Sequence, residues 1–105
     1  MKAGKEKRRT RRFKKRLLAR IDSGTFICGG ITGDVSNNGI FMRGVLLPDN
    51  VMLTIQLYLL DNKISSLKGV VRRNVKIPGS NWLFGTGIEL KEKDYAFQKF
   101  LRTLT

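Results

Sequence analysis

The stretch Val51–Leu60 (VMLTIQLYLL) constrains the fold more than any other part of the chain. Val51, Leu53, Ile55, Leu57 and Leu59 alternate with a set that contains Thr54, Gln56 and Tyr58. A period of two places successive side chains on opposite faces of an extended strand, so the odd-numbered set is expected to face a core. Part of a buried helix is the competing reading. The β-branched content and the turn-forming Asp61-Asn62-Lys63 that follows argue for the strand.

Around that strand the punctuation is dense. Ile64–Arg73 is its expected hairpin partner. Upstream, Leu17–Ile21 reads as a first strand ended by Asp22-Ser23-Gly24, and Thr25–Thr32 as a second, weakened or bulged at Gly29-Gly30. Asp34–Asn38 has loop chemistry apart from Val35. Gly39–Leu46 resumes as a strand, and Pro48-Asp49-Asn50 turns it. A Pro78-Gly79-Ser80 loop precedes a strand over Trp82–Leu90. Then the period changes: Phe97, Phe100, Leu101 and Leu104 share one face of a helix, with Asp94 near its start. Six strands joined mostly by short turns and one helix predict an all-β fold. The expected architecture is a six-stranded antiparallel (split) β-barrel with a C-terminal α-helix covering an open end. A chain of 105 residues has room for one such core.

Charge divides the chain. The whole carries 21 Lys and Arg against 8 Asp and Glu, a net +13. Eleven of the cations lie in residues 1–20, where Glu6 is the only acid. Residues 1–15 therefore read as a flexible basic arm, kept mobile by self-repulsion until an anion neutralises it, and residues 16–105 as the barrel with its helix. The absence of histidine removes the usual triads, and one cysteine allows neither an internal disulfide nor a zinc site. Cys28 reads as a small core side chain. No apolar run reaches the length of a membrane span. The expectation is a soluble cytoplasmic binder without metal or cofactor, and not an enzyme.

Two motifs could carry the binding. In Asp34-Val35-Ser36-Asn37-Asn38-Gly39, Asp34 offers a carboxylate able to accept two N–H donors, such as the Watson–Crick edge of guanine. Ser36 offers a hydroxyl to a phosphate oxygen, and Gly39 allows positive φ and close approach. The plainer reading is an Asx-type turn in which Asp34 and Ser36 bond their own backbone. In the arm, arginines four apart could clamp a planar nucleotide, because the guanidinium fork reaches guanine O6 and N7 and its face stacks. Arg8/Arg12 and Arg12/Arg16 both have that spacing. The plainer reading here is a solvated polybasic tail.

Taken together, R-x-x-x-R followed by D-x-S-x-x-G resembles the PilZ domain, the bacterial receptor module for cyclic di-GMP. Gly69-Val70-Val71-Arg72-Arg73 and Gly85-Thr86-Gly87-Ile88-Glu89-Leu90 are similar to that family's later strands, and the likeness covers residues 7–104. It implies that Arg8 and Arg12 clamp guanine, Asp34 reads a guanine edge, and Ser36 and Gly39 lie by the phosphate. Lys7, Arg9 and Asn38 join them as further contacts. Counting back from Asp34 favours Arg8/Arg12, with Arg12/Arg16 as the second register. Lys7, just before the first arginine, is the position where a basic residue accompanies an intercalated pair of ligand molecules in some members. By the same likeness the arm orders on the ligand and presents a surface to a downstream protein partner, with motility and biofilm formation among the family's outputs. One departure is the tryptophan, which many relatives carry near Val71; here Trp82 follows the loop and reads as a core or rim aromatic. A rival without the resemblance is a non-specific nucleic-acid-binding β-barrel with a polybasic tail.

Overall fold

The computed structural model describes residues 11–76, 78–79 and 84–104. Within them run strands β1 (Arg12–Lys14), β2 (Leu18–Asp22), β3 (Ile27–Ser36), β4 (Gly39–Arg43), β5 (Met52–Tyr58), β6 (Ile64–Lys76) and β7 (Phe84–Lys93), then helix α1 (Tyr95–Thr103). Six strands close into an antiparallel barrel in the order β3-β2-β5-β6-β7-β4, with β4 returning to β3, and β1 is an extra strand on β3. The all-β barrel with one terminal helix is the architecture the sequence predicts. The alternation in β5 holds too. Leu53, Ile55 and Leu57 are wholly buried, while Met52, Thr54 and Tyr58 face outward. The β5–β6 turn has Asp61 and Asn62 at φ of 63° and 61°, with Lys63 N–H donating to Leu60 O, the form whose twist matches a hairpin.

Several strand ends differ from the sequence reading: β4 stops at Arg43, short of Leu46, and β6 and β7 run on to Lys76 and Lys93. Three further differences position the site. First, Arg12–Lys14, placed by composition in the mobile arm, is paired strand, with Arg12 opposite Ser36, Phe13 opposite Val35 and Lys14 opposite Asp34. The reason is Phe13, which turns inward against the core while its cationic neighbours stay outside. Second, β3 runs on through Asp34–Ser36 instead of stopping before them. Its residues 34 and 35 are paired with β1 on one edge and β4 on the other, and ladder bonds on both edges override the loop preference of short polar side chains. Third, Gly29 and Gly30 keep regular register with Arg20 and Ala19; the irregularity lies between Thr32 and Asp34, at Gly33.

One edge of β3 therefore carries β2 and β1 end to end, and a single side chain closes the joint between them. Thr32 is completely buried. Its hydroxyl accepts from Leu17 N–H at 2.9 Å and donates to Lys15 O at 2.5 Å, replacing the ladder bonds lost at the break. At the other end of the chain Asp94 caps α1 and ties it to the barrel. Its carboxylate accepts from Phe97 N–H (2.9 Å), Ser66 N–H (2.7 Å) and the Ser65 hydroxyl (2.7 Å). Phe97, Phe100 and Leu101 bury the predicted helical face, with Leu104 packed beside them. Partial burial pushes the Asp94 carboxyl up, but the hydrogen bonds from Ser66, Phe97 and Ser65 outweigh it, so its pKa lies below the ordinary aspartate value.

Two outcomes are expected. Thr32→Val, which keeps the shape but strips the hydroxyl, costs about 1–3 kcal/mol in chemical denaturation, because Leu17 N–H loses its buried acceptor. Asp94→Ala costs about 1–2 kcal/mol near neutral pH. A lowered folded pKa means that the Asp94 contribution is complete above the unfolded value and fades as pH drops through the folded one. Below about pH 4 the wild-type stability curve therefore falls more steeply than that of Asp94→Ala.

Candidate functional site

The β3–β4 connection is the two-residue loop Asn37-Asn38, and neither residue takes positive φ. Side-chain bonds hold it instead. The buried Ser36 hydroxyl accepts from Gly39 N–H and donates to Gly39 O, both at 3.1 Å. From β7, Leu90 N–H donates to Asn38 O at 2.9 Å and the Lys93 ammonium to Asn37 O at 2.8 Å. Gly39 is required by space, not by conformation: a Cβ there would sit 3.0 Å from Ile88 O, and its φ is not positive. Of the two polar residues read as turn formers, Ser36 thus bonds the turn backbone, whereas Asp34 does not. Asp34 lies on β3 and accepts from Arg12 Nη1 at 2.8 Å.

Next to this turn is a cavity of about 420 Å³, lined by Arg12, Ser36, Asn38, Gly39, Ile40, Phe41, Arg72, Arg73, Gly87, Ile88 and Glu89. Four of the predicted site residues, Arg12, Ser36, Asn38 and Gly39, meet there. Asp34 is bonded to Arg12 but lines the neighbouring cavity, with Lys14, Lys15, Arg16, Gly33, Phe41 and Arg43. Phe41 belongs to both walls. Its ring covers Gly85 so closely that any side chain at that position would collide with it. Predicted contacts Lys7, Arg8 and Arg9 lie outside the described residues, and so does Trp82. Of the Arg12/Arg16 pair, Arg12 lines the first cavity and Arg16 the neighbouring one.

Arg72, Arg73 and Glu89 are lining residues to which sequence reasoning gave no role. The ladder between β6 and β7 shifts between Val71 and Arg73, so Arg72 is an extra residue and two consecutive side chains point outward. Such a bulge re-aims side chains, and here it delivers two guanidinium groups to one cavity. A signal was available: adjacent arginines break the alternation of an otherwise regular strand. Asn74 stiffens the strand just beyond, receiving Leu47 N–H at 3.1 Å and donating to Leu47 O at 2.6 Å. The lining holds three arginines against one glutamate, which favours an anionic occupant. Glu89 is itself engaged, with Arg72 Nε at 2.5 Å and Lys91 Nζ at 3.2 Å. The hydrogen bond from Arg72, then that from Lys91 and their charges, hold the Glu89 carboxyl below its ordinary value. Arg73 has no carboxylate partner among the described residues. Cys28, half-buried against the core, has its thiol pushed up by burial, the opposite of an activated nucleophile.

No protein-family model and no curated protein matches the chain. Solved structures do. One is the Bacillus subtilis inhibitor of motility MotI/DgrA, with a TM-score of 0.78 at 19% identity over 91% of this chain and 48% of that one. A second is MrkH, described as a cyclic di-GMP-dependent transcription regulatory factor, at 0.75 and 17% over 92% and 48%. The K. pneumonia MrkH complex with cyclic di-GMP gives 0.75 and 17% over 92% and 50%. These likenesses show a shared fold. The chain spans about half the length of each of these proteins. Among the described residues no helix is long and apolar enough to cross a membrane.

The Glu89 contacts are open to a direct check. Followed by carbon-detected NMR, the Glu89 carboxyl should titrate below the ordinary glutamate range, and Arg72→Ala should return it toward that range, because the largest cause of its depression is removed.

Proposed function

We propose that this chain is a cyclic di-GMP receptor module that acts by binding and not by catalysis. The observation that carries the reading is the cavity in which Arg12, from one sequence motif, meets Ser36, Asn38 and Gly39 from another, with Asp34 bonded to that arginine. The resemblance to the PilZ domain and the likeness in fold to MrkH, whose complex holds cyclic di-GMP, support it.

In this reading Arg12 stacks on and forks to a guanine, and Asp34 accepts from the guanine N–H donors. The turn clasped by Ser36 and Gly39 gives a phosphate a close backbone approach, with Asn38 at its rim. Arg8 completes the clamp, Lys7 and Arg9 add phosphate or stacking contacts, and Lys7 sets whether one ligand or a stacked pair is held. Ordering of the basic segment over the ligand then creates the surface that a downstream protein reads.

Isothermal titration tests this. Cyclic di-GMP should bind, and Arg12→Ala or Asp34→Ala should each weaken it about 10- to 100-fold, the size of one charge-assisted contact. Arg8→Ala should match Arg12→Ala, and Arg16→Ala should fall well short of it; the reverse order would assign the clamp to Arg12/Arg16. An absence of heat with the wild-type chain overturns the proposal. Retention of duplex DNA with a steep salt slope and no dependence on Asp34 would establish the polybasic rival in its place.

A further inference from the structure

A strand's solvent side is usually polar, yet one outer stretch of this barrel is not. Register puts Ile31 of β3 opposite Leu18 of β2, and Tyr58 of β5 opposite Ile64 of β6. Ala19 pairs with Leu57, so Leu18 and Tyr58, each one step further along, face one another across β2 and β5. An apolar row thus crosses four strands with Leu18 63%, Ile64 53% and Tyr58 39% exposed. Ile27, 55% exposed, shares a concavity of about 720 Å³ with Leu18, Ile31 and Tyr58. Gly29, on the outward side opposite Arg20, carries no side chain and keeps the floor low, although a Cβ there would meet only Ala19 O at 3.8 Å.

The charge at this face has one sign. Arg20 and Arg43 line the concavity, and no acidic residue does. Asp22, opposite Ile27, has its carboxylate turned to Gly24 N–H at 2.8 Å. A contiguous exposed apolar patch with a charged rim marks an interaction surface. Nucleic acid would use the arginines but gain nothing from Leu18, Ile27 and Ile64. A second copy would bring Arg20 and Arg43 against a chain of net charge +13. Strand addition is blocked, since β2 is paired on both edges, by β3 and β5. What remains is a helix laid across the face.

We propose that this face docks an acidic amphipathic helix of a partner protein, its apolar side chains on the Leu18–Tyr58–Ile64 row and its carboxylates on Arg20 and Arg43. The surface shares no lining residue with the cavity of Arg12 and Ser36, although Arg43 also lines the neighbouring cavity of Asp34.

The test uses a synthetic amphipathic helix with leucines at i, i+3, i+4 and i+7 flanked by glutamates, beside a counterpart with lysine for glutamate. Each is titrated into the full isotope-labelled chain and followed by NMR. The glutamate peptide should shift the amides of Leu18, Arg20, Ile27, Tyr58 and Ile64 and leave Ser36–Gly39 in place. The double variant Leu18→Ser/Ile64→Ser should weaken it about 10-fold or more, and Arg20→Glu should transfer the preference to the lysine peptide. Both changes fall on exposed side chains, so melting curves should match wild type; Leu18→Gln alone supplies the same readout if the double variant melts early. The proposal is overturned by shifts elsewhere or none, by equal binding of the two peptides, or by self-association or vesicle binding that Leu18→Ser/Ile64→Ser abolishes.

Discussion

Strand β3 is the member on which the other parts of this structure depend, because among the described residues it is the one strand with three partners. Its outer edge takes β2 and then β1, and its inner edge takes β4. That arrangement works only if the gap between β1 and β2 is closed without leaving buried backbone groups unpaired. The Thr32 hydroxyl does so by bonding both sides of the gap. Past that joint, Gly33 bulges, and the strand presents Asp34 to Arg12 and Ser36 to the turn. Core, closure and site geometry are consequences of one strand whose polar joint is fully satisfied.

Much of the barrel was legible because its signals are local and physical. The period of two in Val51–Leu60 appears as the buried Leu53, Ile55 and Leu57, and the spacing of Phe97, Phe100 and Leu101 as the inner face of α1. Asp61-Asn62 turns where its chemistry says it should. What escaped the sequence depends on partners far away along the chain. Nothing near Arg12 announces that Phe13 will find the core, and nothing near Asp34 announces that both edges of its strand will be occupied. The bulge at Gly33 was placed at Gly29-Gly30 because glycine marks weak points without saying which one the register will use.

The candidate site was legible in its motif and not in its surroundings. Arg12, Ser36, Asn38 and Gly39 converge on one cavity, and Asp34 reaches it through Arg12. Arg72 and Arg73 join them because an inserted residue turns two neighbours the same way, which a strict alternation cannot express. The cavity and the outer face of β2 also differ in charge. The cavity sets three arginines around one glutamate that is already paired, whereas the outer face of β2 sets two arginines around leucine, isoleucine and tyrosine. The first composition is polar and polyvalent; the second offers area with a little charge at its rim.

The pairing of β4 with β7 has a kinetic corollary. Gly39 meets Glu89, and Leu90 supports Asn38, across a sequence separation of about fifty residues. Contacts so distant require the loop entropy between them to be lost before they can form, which makes such pairing intrinsically slow. One wall of the arginine-lined cavity comes from each side of that seam. The pocket therefore exists only where that seam has closed, and a chain with β4 and β7 unpaired has no such cavity.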